Sequence, residues 1–301
     1  MKIAIIGARG IGEVIIKKII NYGVEDLSIL CSTITSTKKQ ANYLNKKYKS
    51  NIKALKGEGD LFQKDLFDAV VIASPNNTHS HFIEQSLQYN FNIFCEKPLI
   101  WNKKNNIKDI DNFLKYIQKK HKRLLFCNTP NKYFIKSIIK KYPKLTKNIK
   151  EFTFVFHTKG NNIHENIAID LLPHGYSLIS ELLGNQKTLN YKKISTKYKY
   201  LCSFTYGVCK VNFEFIETPK IKKKLIFKIN NNSFKRIQTG TGDSYKVFLK
   251  NKNDKVRIED PYNSHINLFL NYLYQKKQAQ EEYRLSINGM NWLKNILLSK
   301  I

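Results

Sequence analysis

Three side chains in this sequence have the types and spacing to handle a proton beside a reacting carbon: Lys97, Asp170 and His174. A histidine, a carboxylate and a lysine together form the inventory of a proton relay. Lys97 sits in Cys95-Glu96-Lys97-Pro98-Leu99, directly after the apolar run Phe91-Asn92-Ile93-Phe94. That context places it at the C-terminal end of a strand, the edge at which open α/β sheets bind ligands. Pro98 fixes the backbone after it and is a candidate for a cis bond. The other two lie in Ile169-Asp170-Leu171-Leu172-Pro173-His174-Gly175-Tyr176, where an i, i+4 spacing puts Asp170 and His174 on one helix face. Proline is tolerated near a helix start, so the pair is expected in a first turn. A purely structural reading, with Asp170 a helix cap and His174 a packed side chain, stays open from the residues alone.

A second constellation could hold an anionic ligand. Gly7-Ala8-Arg9-Gly10-Ile11-Gly12 follows a short apolar strand and opens a helix pattern. In a dinucleotide-binding turn Gly7 makes the tight turn, Gly12 lets the helix pack closely, and the helix N-terminus faces the pyrophosphate. The usual third glycine would stand at position 9, where this chain has Arg9, leaving Gly10 to provide the close approach. At the end of the second strand, Cys31-Ser32-Thr33 offers hydroxyls and no carboxylate for ribose. Ser32, Thr33 and Arg9 therefore favour a 2′-phosphate and NADP over NAD, and the missing acid also disfavours S-adenosylmethionine. Ser74-Pro75-Asn76-Asn77-Thr78-His79 ends the third strand at the same sheet edge, so Ser74, Pro75 and Asn77 are expected to border the cofactor, with Thr78 capping the following helix. His79 reads more readily as a satisfied structural histidine than as a catalyst.

These residues need a frame. Lys2 to Ile6, Leu27 to Cys31, Asp68 to Ser74, Phe91 to Cys95 and Leu124 to Cys127 are apolar runs of strand length separated by helix patterns. That alternation predicts a parallel sheet covered on both faces. From about residue 150 strand candidates follow one another: 151–157, 198–206, 208–215, 224–229, 233–238 and 245–249. Helices are expected over 169–183, 265–276 and 282–299. Such grammar predicts an α+β domain with an antiparallel or mixed sheet. The boundary is placed between a domain of residues 1–122 and one of 123–301.

The composition bounds the function. A chain of 301 residues with 42% hydrophobic and 12% aromatic content is globular and long enough for two domains. The formal charge of +29 invites a nucleic-acid reading, but 47 of the 52 basic residues are lysine and they spread over the whole chain. Base readout relies on arginine, so nucleic acid is not expected as the partner; a basic surface instead suits phosphates and sugar nucleotides. Five cysteines without a Cys-x-x-Cys pair speak against a disulfide framework or structural zinc and for a reducing compartment. No apolar run has the length of a membrane span. A soluble, cytoplasmic protein without a metal is expected.

Taken together, Gly7 to Gly12, Ser74 to His79, Glu96-Lys97-Pro98 and Asp170-x-x-Pro173-His174 leading to Leu182-Leu183-Gly184 resemble the glucose–fructose oxidoreductase/inositol dehydrogenase (Gfo/Idh/MocA) family. The resemblance touches both halves of the chain. It implies an N-terminal Rossmann domain with a doubly wound parallel sheet. An α+β domain would follow, with an open, mainly antiparallel sheet through which homo-oligomers form. It implies NADP or NAD as cofactor, held by Gly7, Arg9, Gly10, Ile11, Gly12, Ser32, Thr33, Ser74, Pro75, Asn77, His79, Glu96 and Lys97. It also implies hydride transfer to or from a carbinol or ketone carbon of a sugar, sugar nucleotide or related polyol. The family's catalytic residues fall on Lys97, Asp170 and His174. His174 would take the hydroxyl proton, Asp170 would orient its imidazole, and Lys97 would hydrogen-bond the same oxygen. Arg9 departs from the family glycine. Gly175-Tyr176 stands where many members have polar residues, which bears on substrate contacts. Lys159, Asn161, Asn162 and His164, before the Asp/His helix, are further candidate substrate contacts. The alternative is a non-catalytic, nucleotide-binding sensor or partner subunit.

Overall fold

The computed structural model describes residues 1–102, 106–241, 244–252 and 254–298. They form two compact units, Met1–Asn128 with His265–Asn291, and Thr129–Ser264 with the chain from Trp292 onward.

The first unit alternates β1 (Lys2–Ile6), α1 (Ile11–Tyr22), β2 (Asp26–Leu30), α2 (Ile34–Tyr48), β3 (Lys53–Ala54), α3 (Glu58–Leu61), β4 (Ala69–Ile72), α4 (His79–Gln88), β5 (Asn92–Cys95), α5 (Ile107–Lys120) and β6 (Leu125–Cys127). Its six strands are all parallel and run in the order β3-β2-β1-β4-β5-β6. The order reverses between β1 and β4, the switch point at which such sheets open a crevice. Ile5 pairs with Ile29 on one side and Val71 on the other, and these residues are buried because helices cover both faces.

The second unit holds α6 (Lys132–Lys141), β7 (Glu151–Thr158), α7 (Glu165–Leu183), β8 (Thr188–Ser195), β9 (Lys199–Tyr206), β10 (Cys209–Glu217), β11 (Lys224–Ile229), β12 (Asn232–Thr239), β13 (Lys246–Lys250) and β14 (Lys255–Ile258). Its eight strands run in the order β14-β13-β12-β11-β7-β10-β9-β8. Among the described residues of this sheet, only β7 and β10 pair in parallel. Along β9, Tyr200, Cys202, Phe204 and Tyr206 are buried while their alternating neighbours are half-exposed, the period-two signature of a sheet with one covered face.

Two helices close the chain, α8 (Pro261–Tyr274) and α9 (Gln280–Leu298); Ser299, the expected end of the last helix, lies outside the described residues. From His265 they return to the first unit, where Ile266, Phe269 and Leu270 join its buried core. Phe269 packs on Phe94 and Phe126, with ring centroids 5.3 and 5.2 Å apart. His265 Nε2 lies 3.0 Å from the Cys127 carbonyl, and the Cys127 amide donates to Ser286 Oγ at 2.9 Å. The units therefore divide after Asn128 rather than after residue 122, because β6 is the sixth strand of the parallel sheet, and the second unit does not own the whole C-terminus. No helix among the described residues is long and apolar enough to cross a membrane.

Candidate functional site

The glycine-rich turn is built from both ends. Gly7 adopts φ +85°, and a Cβ there would lie 2.6 Å from the Ala73 carbonyl oxygen. A Cβ on Gly12 would overlap the Gly7 carbonyl oxygen, so side-chain-free positions are what let α1 close on the turn. Gly10, with φ +56°, precedes the helix, and Ile11 opens it and packs against the sheet's core. The turn is pinned by backbone and side chain: the Gly7 amide donates to Leu30 O at 2.9 Å, and buried Gln40 on α2 donates through Nε2 to Ala8 O at 2.8 Å.

A cavity of about 670 Å³ opens over the C-terminal ends of β1, β2 and β4. Gly7 and Arg9, Ser32 and Thr33, and Ser74 and Pro75 line it, together with Ser36, Lys56, Glu58 and Phe82. The dinucleotide reading thus brings six of its candidates to one cavity. Thr33 caps α2, its Oγ1 accepting from the Ser36 amide at 3.1 Å while Ser36 Oγ donates to Thr33 O at 2.9 Å. Arg9 and Lys56 are exposed cations with no ion pair among the described residues. Glu58, which accepts from His81 Nε2 at 2.7 Å, supplies a carboxylate that inspection of the second strand's end alone does not reveal.

The loop after β4 is tied to the turn after β5 by His79. This residue is buried, with Nε2 2.9 Å from Ser74 O and Nδ1 2.9 Å from Pro98 O. Burial, joined by the positive charge of Lys97, lowers its pKa. A neutral imidazole carries one N–H, so it donates to one of these carbonyls at a time. His79 thus ties the cavity-lining loop after β4 to the turn after β5, and it is not itself among the cavity-lining residues. Thr78 does not cap α4 with its side chain. Its hydroxyl donates to Pro75 O at 2.8 Å and lies 2.7 Å from Ser74 Oγ. Asn77 is exposed on a single 3₁₀ turn (Asn76–Thr78) and also lies off the cavity.

The Lys97–Pro98 bond is cis. Glu96 is buried below it, accepting from Asn128 Nδ2 and from the Lys97 amide at 3.3 Å. Its carboxylate orders this turn from inside and is absent from the cavity lining. Cys95 and Cys127 are buried neighbours across β5 and β6, and burial pushes the Cys127 thiol up to about 12, as suits small packing residues rather than nucleophiles.

In the second unit α7 begins at Glu165, and Pro173 lies inside it. The expected first-turn placement of Asp170 and His174 is therefore corrected to mid-helix, and the N-cap position is His164. Pro173 removes one bond to the Ile169 carbonyl. The helix continues through it because Leu171, Leu172, Leu178 and Ile179 are buried. Asp170, half-buried, and His174, buried, stand one turn apart on a shared face. The Phe156 ring meets the His174 imidazole edge-on, with centroids 5.5 Å apart at 83°. Gly175 and Tyr176 turn the other way: a Cβ on Gly175 would lie 2.5 Å from the Phe213 ring, and Tyr176 packs on Trp292. They are core residues, which accounts for their departure from the polar residues expected there. The 159–164 loop stays largely exposed, anchored where the Asn162 amide donates to Glu217 Oε1 at 3.0 Å.

Comparison with known proteins agrees with this architecture. Residues 1–128 match the GFO_IDH_MocA family model, described as an oxidoreductase family with an NAD-binding Rossmann fold. No curated protein matches the chain in sequence. Solved structures match throughout. KijD10, a 3-ketoreductase from Actinomadura kijaniata in complex with NADP, superposes with TM-score 0.73 at 11% identity, covering 98% of this chain and 96% of its own. UDP-N-acetylglucosamine 3-dehydrogenase GnnA from Acidithiobacillus ferrooxidans gives TM-score 0.71 at 12% identity, with the same coverage. Biliverdin reductase from Synechocystis sp. PCC 6803, in complex with biliverdin and NADP+, gives 0.69 at 12%, covering 98% and 97%. At these identities the likeness shows the fold. Residues 1–128 are similar to the NAD-binding Rossmann domain of that oxidoreductase family.

Proposed function

We propose, from an N-terminal domain that matches the GFO_IDH_MocA oxidoreductase family model, that the chain is an NAD(P)-dependent dehydrogenase or reductase. Its substrate would be a sugar, sugar nucleotide or related polyol bearing the carbinol or ketone carbon. The observation that carries the cofactor half is the single cavity joining the glycine turn to Ser32, Thr33, Ser74 and Pro75. Gly7 and Gly12 let α1 close on the turn, which supports a pyrophosphate site at the N-terminus of that helix. The same cavity presents Arg9 and Lys56 beside the Thr33–Ser36 cap, which supports a 2′-phosphate and NADP. The two enzymes among the structural neighbours that act on sugars or carry a ketoreductase name support the substrate class.

When bound, the nicotinamide supplies the hydride acceptor or donor. In oxidation His174 takes the substrate hydroxyl proton and Asp170, one turn earlier, orients the imidazole. Lys97 would donate a hydrogen bond to the same substrate oxygen. The exposed alternation of the second sheet is the surface through which a homo-oligomer is proposed to form. Lys97→Ala and His174→Ala are each expected to lower turnover by about 10²–10⁴-fold and to leave NADPH affinity within a few-fold. Steady-state kinetics on a panel of sugars and sugar nucleotides, with cofactor titration in parallel, measures both. A folded variant with full activity would overturn the assigned roles.

A further inference from the structure

Arg236 occupies an unusual position in the second unit. It lies on β12, two residues after buried Phe234 and on the same face. Register carries that row across the sheet: Leu249 of β13 pairs with Arg236, and Leu225 of β11 pairs with Phe156 of β7. Arg236 therefore stands in a row that includes Phe156, Leu225 and Leu249. Its guanidinium carbon is 6.0 Å from the centroid of the Phe156 ring, the ring whose edge contact is the His174 imidazole. A chain that takes 47 of its 52 basic residues as lysine has an arginine at this half-buried site.

No carboxylate lies within ion-pair distance of Arg236 among the described residues. Tyr245, Tyr262 and Asp260 are the groups that favour its charge, while burial opposes it. Gln238, on the same strand face, donates to the Tyr245 hydroxyl. A guanidinium withdrawn from water without a bound anion is costly. Its planar fork is suited to bidentate contact with a carboxylate or phosphate.

We propose that Arg236 anchors an anionic group, a phosphate or a carboxylate, carried by the substrate whose reacting carbon lies at His174. The inference rests on the proposed role of His174, and it adds a specificity that role does not require: the substrate is charged at one end. Phe156 separates the two contacts. The guanidinium and the imidazole contact the same ring, at 6.0 and 5.5 Å from its centroid, so one substrate could reach both. A neutral sugar would leave the guanidinium unpaired, which disfavours it.

The chain's five arginines make the test direct. In ¹⁵N-labelled protein the Arg236 Nε–H signal is assigned by its loss in Arg236→Lys, and the Arg9 signal likewise in Arg9→Lys. Sodium pyrophosphate, sodium glucuronate and glucose are titrated at constant ionic strength. The expected result is a saturable shift of the Arg236 signal with pyrophosphate or glucuronate and none with glucose. The anion that saturates distinguishes phosphate from carboxylate chemistry. By calorimetry Arg236→Gln should weaken that anion at least tenfold, and Arg236→Lys should recover part of the loss. A shift that stays linear and equals those of Arg123 and Arg257, or saturation confined to Arg9, would overturn the proposal, as would unchanged affinity in Arg236→Gln. NADPH affinity measured on the same samples separates the two readings. Saturation at Arg236 without NADPH binding leaves an anion site and removes the dehydrogenase; NADPH binding without saturation removes the anion site alone.

Discussion

At the scale of single residues the cofactor cavity divides into what spacing reveals and what packing adds. Arg9, Ser32 and Thr33 were legible because they lie within a few residues of strand ends, where the sheet edge binds ligands. Lys56, Glu58 and Gln40 were not, since their place depends on how the β3–α3 connection and the α2 face fold back over that edge. Glu58 shows the limit well: a search for a ribose carboxylate at Cys31-Ser32-Thr33 finds none, yet the first turn of α3 brings one to the same cavity. Its bond to His81 engages that carboxylate, and Arg9 and Lys56 leave the cavity's cationic groups available to a phosphate. Arg9→Ala should therefore weaken NADPH about tenfold or more, the scale of one charged hydrogen bond, and spare NADH. Fluorescence titration of both cofactors reads the ratio; an equal loss would assign Arg9 to the pyrophosphate alone. The two carbonyl partners of His79 belong to loops that lie 24 residues apart in sequence, from Ser74 to Pro98, and no local pattern announces such a link.

Among the elements, long apolar runs with clear ends were the most readable. β1 spans Lys2–Ile6 and β11 spans Lys224–Ile229 as expected. β3, with two residues, carries too little apolar pattern to register, and β8 is exposed along most of its length. α7 starts four residues before the position that Pro173 suggests, because tertiary burial sustains the helix through the proline. The glycine turn is positioned by α1 and α2 together, and that makes a testable pair. Gly12→Ala drives a methyl into the Gly7 carbonyl and should cost about 1–3 kcal/mol of stability with strongly reduced cofactor binding. Gln40→Leu keeps the side chain's bulk and removes only the bond to Ala8 O. It should weaken cofactor binding several-fold with a smaller loss of melting temperature. Unchanged cofactor affinity in Gln40→Leu would show that the turn holds without that amide.

For the whole molecule, the chain crosses between its units more than once, and this was the part least legible in sequence. The amphipathic pattern of α8 shows that one side must be buried but does not name the partner, and Phe94, Phe126 and Phe269 meet across a gap of more than a hundred residues. Stability should carry a signature of the histidines of the first unit. Burial lowers the pKa of His79 and His121 from the ordinary 6.5. The unfolded chain then binds more protons in the window below 6.5, so stability falls as pH drops through that window, by at most about 1.4 kcal/mol per pH unit for each histidine. Denaturant unfolding at successive pH values should show this slope, flattened in His79→Asn. A slope unaltered by that substitution would locate the proton uptake elsewhere. The central claim is that the first unit holds a dinucleotide and prefers the one with a 2′-phosphate. Titrating the purified protein with NADPH and with NADH, followed by nicotinamide fluorescence at physiological salt, tests it most directly. Saturable micromolar binding with NADPH the tighter of the two is the predicted result, and binding of neither would contradict the account at its root.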